Sequence, residues 1–142
     1  MKHKHLKCSW LLFIFSAGVI ALTGCMTPTP KPGEVYSCVK DADLTTSIAE
    51  EASLETFSCV MKKWEGQNTL HFMVAVKNIS AEDQRFKVNI FLENGKAVGG
   101  LLPRKTKKGL IKPGQTLEFT YPVKGVGHSP GKIDLFVKTM SK

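Results

Sequence analysis

Cysteine, histidine, methionine and a run of cations are the side chains in this sequence whose types and spacing bear on chemistry. Cys38 and Cys59 sit in matching contexts, Tyr36-Ser37-Cys38-Val39 and Phe57-Ser58-Cys59-Val60. Paired, they close a loop of about 20 residues, which in the chain-entropy account stabilises by roughly 3 kcal/mol. Two buried thiols or a redox or metal pair are the other readings, although C-x-x-C spacing is missing. His71 and Met73 lie two apart, hence on one face of a strand, and Met61 on the preceding strand is placed to face them. An imidazole with thioethers is a soft ligand set suited to Cu(I). Against it, Leu70, Phe72, Val74 and Val76 hold the core phase, which turns His71 and Met73 outward or towards a second interface.

Arg104, Lys105, Lys107, Lys108 and Lys112 place five cations in nine residues. Such a loop makes a positive patch for phosphates or an acidic protein surface, or simply a solvated loop that keeps a sheet edge unpaired. Gly125 to Gly131 is rich in glycine but runs through Pro130 into a strand, so no helix N-terminus follows to bind an anion. His128-Ser129 has no evident acid partner, and the carboxylate pairs Asp41/Asp43 and Glu50/Glu51 are accounted for by solvation. Asn78-Ile79-Ser80 matches a glycosylation sequon to which little meaning attaches. No catalytic residue is assigned, no enzyme activity is expected, and no cofactor is expected.

Upstream of these groups is an address. Lys2, Lys4 and Lys7 open the chain without an acid, and Trp10 to Leu22 adds 13 uncharged residues. A helix of that length reaches about 20 Å, short of the roughly 30 Å hydrocarbon core, which marks a secretory signal rather than a span. The segment ends Leu22-Thr23-Gly24-Cys25, which resembles the lipobox of bacterial lipoproteins. That resemblance implies lipidation of Cys25, cleavage after Gly24 and anchoring by acyl chains worth about 0.8 kcal/mol per buried CH₂. Met26, in place of the Asp that favours inner-membrane retention, implies the periplasmic face of the outer membrane. Export also places Cys38 and Cys59 in an oxidising compartment, where an even pair reads as a disulfide.

Processing leaves residues 25–142 with 17 bases against 12 acids, out of the 20 and 12 in the whole 142-residue chain. This length supports one domain and excludes large catalytic scaffolds. Charge is uneven: residues 34–65 hold seven acids and three bases, residues 82–142 five acids and twelve bases. Residues 25–33 form a proline-rich tether, and residues 34–142 the domain.

Short strands are predicted over 34–39, 56–64, 69–79, 85–92, 97–102, 115–121 and 132–139, with a hairpin at Glu65-Gly66-Gln67-Asn68 and another at Asn94-Gly95. Residues 41–53 read as a short helix, with Asp43 as N-cap and Leu44, Ile48 and Ala52 four apart. Six or seven strands at this spacing predict an all-β fold, an immunoglobulin-like antiparallel β-sandwich.

The order of elements, with Val39 to Leu44, then Val76-Lys77-Asn78-Ile79-Ser80, Phe91-Leu92-Glu93-Asn94-Gly95 and Ile111-Lys112-Pro113-Gly114-Gln115-Thr116, resembles the YcfL-like small periplasmic lipoproteins over about residues 36–138. The resemblance carries no enzymatic activity. The expected function is that of a lipid-anchored adaptor or accessory subunit of an envelope assembly. It meets the membrane through its anchor, an envelope protein as partner and no nucleic acid. A ligand-binding module, such as a copper carrier using His71, Met73 and Met61, is the alternative.

Overall fold

The computed structural model describes residues 30–104 and 109–140. Eight strands form two four-stranded sheets: β1 (Val35–Tyr36), β2 (Leu44–Ile48), β3 (Ala52–Trp64), β4 (Gln67–Asn78), β5 (Phe86–Leu92), β6 (Ala97–Leu102), β7 (Thr116–Val123) and β8 (Ile133–Thr139). One sheet runs β1-β3-β4-β7 and the other β2-β8-β5-β6. All pairings are antiparallel except β2 with β8. The chain is therefore an all-β, immunoglobulin-like sandwich, with the β3–β4 and β5–β6 hairpins each kept within one sheet.

Alternation of apolar residues builds the core. Leu70, Phe72, Val74 and Val76 on β4 face Phe86, Val88 and Ile90 on β5 and Ile133, Leu135 and Val137 on β8, and all of these are buried. Each such side chain contributes about 1.5–3 kcal/mol on leaving water. The β3–β4 hairpin turns at Glu65 and Gly66, both with positive φ, a reversal whose hand matches strand twist. Between β5 and β6, Gly95 takes a φ of 79° and its N–H donates to the Leu92 carbonyl at 3.0 Å, closing a three-residue loop.

Residues 41–53 do not form the expected helix. Only a 3-10 turn at Asp41–Asp43 appears, with no side-chain cap, and β2 follows at once. A spacing of four fits either period: Leu44 and Ile48 share a face of a strand as readily as of a helix. Thr45, Thr46 and Ile48 are β-branched, which favours the pleat, and β2 gains a five-residue parallel ladder from Leu44–Ile133 to Ile48–Val137. That exchange of helix for strand brings the count to eight.

A disulfide joins Cys38 to Cys59, with Cα atoms 4.9 Å apart. The repeated contexts lie side by side, since Tyr36 pairs with Cys59 in the β1–β3 ladder. The bond ties the short β1 and the loop after it to the core strand β3.

Candidate functional site

Sheet order leaves β6 and β7 as the two free edges on one side of the sandwich. Between and around them runs a groove of about 480 Å³, walled by Trp64, His71, Phe119, Tyr121 and Pro122 and floored by Val98 and Gly99, with Arg104 at its margin. Its construction follows from strand alternation. Phe119 and Tyr121 pair with Val74 and Phe72 and so point between the sheets, while Thr120 and Pro122 pair with Met73 and His71 on the opposite face. The groove thus wraps around the β7 edge.

Close approach of strands demands glycine at Gly99. With φ at 150°, a Cβ there would collide with the Val88 carbonyl oxygen. Gly100 is the neighbouring gap: a Cβ at that position would come within 3.8 Å of the Tyr121 ring. Tyr121 stacks edge-on against Phe119, ring centroids 4.7 Å apart. Arg104 lies over the Phe119 ring, 4.5 Å from its centroid. An exposed contact of this kind is worth about 0.5–1 kcal/mol. Arg104 makes no hydrogen bond or ion pair among the described residues, and it is exposed.

Tyr121 is 5% exposed, and its hydroxyl is buried without a hydrogen-bond partner among the described residues. Burial pushes its pKa up to about 12, against a smaller downward pull from the Arg104 charge. At the far end, the Trp64 indole meets His71 edge to face at 5.9 Å. His71 Nδ1 lies 2.9 Å from the Thr69 carbonyl oxygen. A carbonyl only accepts, so this contact places a proton on Nδ1.

A second hollow of about 920 Å³ opens where the tether joins the domain, lined by Pro30, Pro32, Tyr36, Cys38, Met61 and the 127–131 loop, with Asp41 and Asp43 on its wall. His128 and Ser129 border it too, but not as a nucleophile and base. The Ser129 hydroxyl donates to Tyr36 Oη at 3.1 Å, and His128 Nδ1 faces the Ser129 carbonyl.

The structure separates the copper ligand set. Val60 pairs with His71 and Met61 with Leu70, so His71 and Met73 share one face of the sheet while Met61 joins the core on the other. The strand alternation that brings His71 and Met73 together is what excludes Met61. Nor does His71 point into open solvent: it is 4% exposed, beneath Trp64. No cluster of three or more His, Cys, Asp or Glu able to hold a metal occurs among the described residues.

Of the basic patch, Arg104 is placed as above, and Lys112 begins the Lys112-Pro113-Gly114-Gln115 turn, its N–H donating to Gln115 Oε1 at 3.1 Å. Lys105, Lys107 and Lys108 lie outside the described residues, as does Cys25 with the leader. Asn78 is fully buried, so the sequon is a structural joint: Nδ2 donates to the Glu82 and Ile111 carbonyls, and Oδ1 accepts from the Ser80 N–H and hydroxyl. The aromatic groove was missed from sequence. Its signal was present in Pro122, which marks β7 as an edge strand, and in the paired glycines of β6. Compared with known proteins, the chain matches no family model, no curated protein and no solved structure.

Proposed function

We propose that this chain is a lipid-anchored adaptor, or accessory subunit, of an envelope assembly and works by binding a protein rather than by catalysis. In this reading it is a lipoprotein of the YcfL-like kind, held by Cys25 at the periplasmic face of the outer membrane. The observation that carries the adaptor reading is Arg104: a guanidinium without an ion-pair partner among the described residues, seated on Phe119 at the margin of an aromatic groove, between two sheet edges. Aromatic residues and arginine are the groups that concentrate binding energy at protein interfaces. Three further lysines follow Arg104 within four residues of sequence, and they add long-range attraction for an acidic partner.

The test is photo-crosslinking in living cells from position 105, with mass-spectrometric identification of what is captured. A single dominant envelope protein supports the reading; capture of lipid alone, or of nothing, refutes it. The anchor has its own test. Cys25→Ser should release the protein from the membrane fraction and leave the leader uncleaved, and normal attachment of that variant would remove the anchor.

A further inference from the structure

The two free edges that border the groove are not equally protected. Asn78 N–H donates to the Gln115 carbonyl at 3.0 Å, which makes that pair a hydrogen-bonded position. Antiparallel alternation then turns the backbone groups of Thr116, Glu118, Thr120 and Pro122 on β7 away from β4. Pro122 has no N–H to offer and Glu118 is charged, so both blunt this edge against another strand. The placement of proline at an outward position agrees with the alternation.

On β6 the corresponding bond is Leu92 N–H to the Lys96 carbonyl at 2.9 Å. Alternation gives Val98, Gly100 and Leu102 to β5 and leaves Ala97, Gly99 and Leu101 with N–H and C=O directed outward. The six residues Ala97-Val98-Gly99-Gly100-Leu101-Leu102 contain no charge and no proline. They lack the devices that keep a sheet edge unpaired. A strand laid beside β6 would set its inward side chains level with Val98, Gly100 and Leu102. There Gly100 presents no side chain, so a neighbouring strand can come close to the Tyr121 ring, which a Cβ at that position would touch at 3.8 Å.

We propose that an extended, acidic segment of a partner protein adds to β6 as a new strand, seats its inward side chains against Phe119 and Tyr121, and sets a carboxylate on Arg104. The proposal rests on the adaptor reading and names the shape and charge of the partner at that site. Backbone bonds to Ala97, Gly99 and Leu101 supply affinity, and the groove supplies selectivity for alternate side chains. The carboxylate is specified by charge: the guanidinium at the groove margin has five donors in a fixed fork and no acid among its described neighbours.

The experiment uses the full chain in its own membrane, with p-benzoylphenylalanine at Leu101 on the free edge and, as a control, at Phe91, which is exposed on the same sheet but one strand in. The crosslinked peptide is then sequenced. The expected result is capture at Leu101 of one partner through a segment containing Asp or Glu, and none of that product at Phe91. Arg104→Glu should lower the yield about tenfold, whereas Arg104→Lys, which keeps the charge, retains most of it. Capture of a second copy of this chain, of a segment without acids, or equal capture at Phe91 overturns the proposal. A partner caught from position 105 but never from Leu101 overturns strand addition and leaves the adaptor reading standing. No capture from either position ends both.

Discussion

Asn78 and Tyr121 lie on adjacent strands of one sheet, β4 and β7, and both are almost wholly buried, yet one side chain is saturated with hydrogen bonds and the other, among the described residues, has none. Asn78 spends both amide protons on the Glu82 and Ile111 carbonyls and accepts twice from Ser80. Around it, Gly114 N–H donates to the Asn78 carbonyl and Gln84 exchanges backbone bonds with Ile111. This end of the sandwich is a knot in which loops from both sheets are tied to one side chain. Tyr121 shows the opposite economy, with a desolvated hydroxyl that has no hydrogen-bond partner among the described residues. Buried polar groups in native proteins are satisfied as a rule, so the contrast separates a joint that holds the fold from a group buried at a cost to it.

The largest effect is expected at the knot. Asn78→Ala removes the two bonds that Nδ2 gives to the Glu82 and Ile111 carbonyls and the two that Oδ1 accepts from Ser80, each worth about 0.5–1.5 kcal/mol. Urea denaturation should show a loss of about 3 kcal/mol. A loss under about 1 kcal/mol would break the comparison, because Asn78 would then be no more structural than a surface side chain.

At Tyr121 the same kind of deletion should have the opposite sign. Tyr121→Phe removes a hydroxyl that was desolvated for no return, so stability at pH 7 should be unchanged or rise by about 1 kcal/mol. Alkaline pH sharpens the point. Below pH 10 the phenol is protonated whether the chain is folded or not. Above it the unfolded chain ionises while the folded one resists until about pH 12, so the native state loses stability as pH rises through that interval, by about 2 kcal/mol. Tyr121→Phe should be free of that share of the loss. Equal alkaline slopes for the two proteins, measured by urea midpoints from pH 9 to 12, would show that the hydroxyl is not buried in solution.

How much of this was legible in the residues divides along the same line. The core phases on β4 and β8, the Asn94-Gly95 turn and the Cys38–Cys59 bond follow from local rules of alternation, φ and pairing, and they stand in the structure. The knot was half legible: Asn78-Ile79-Ser80 was visible as a sequon, but what Asn78 bonds to depends on Ile111, 33 residues away. The 41–53 segment misled because Leu44 and Ile48 satisfy two periods, and the deciding contact was with β8, nearly 90 residues on. The groove was least legible. Its walls come from β3, β4, β6 and β7, and no local pattern announces a space between strands.

Arg104 links the two halves of the comparison at smaller amplitude. It is exposed and makes no hydrogen bond or ion pair among the described residues, and its cation–π contact with Phe119 is a surface one, so Arg104→Ala should change stability by no more than about 1 kcal/mol. Its charge pulls the Tyr121 pKa down, so the same variant should move the Tyr121 titration upward when followed by ultraviolet absorbance. A downward shift, or a large loss of stability, would make Arg104 part of the fold rather than of the binding surface.

The smallest effect tests whether the knot end stays satisfied out to its rim. The Thr139 hydroxyl donates to Glu51 Oε2 at 2.7 Å, joining the end of β8 to the turn before β3. That bond, with help from the Glu51 backbone N–H, holds the carboxyl below its ordinary value of 4.5. A lowered carboxylate pKa favours the folded state above the ordinary value, and the benefit disappears as pH falls through the native one. Glu51 is only half-buried, so solvent screens the effect and the sensitive readout is the titration itself. In Thr139→Val the Glu51 carboxyl, followed by carbon NMR from pH 2 to 7, should titrate closer to 4.5 than in the parent protein. An unchanged midpoint would mean that the hydroxyl bond does not persist in solution and that the tight bonding of this end stops at Asn78.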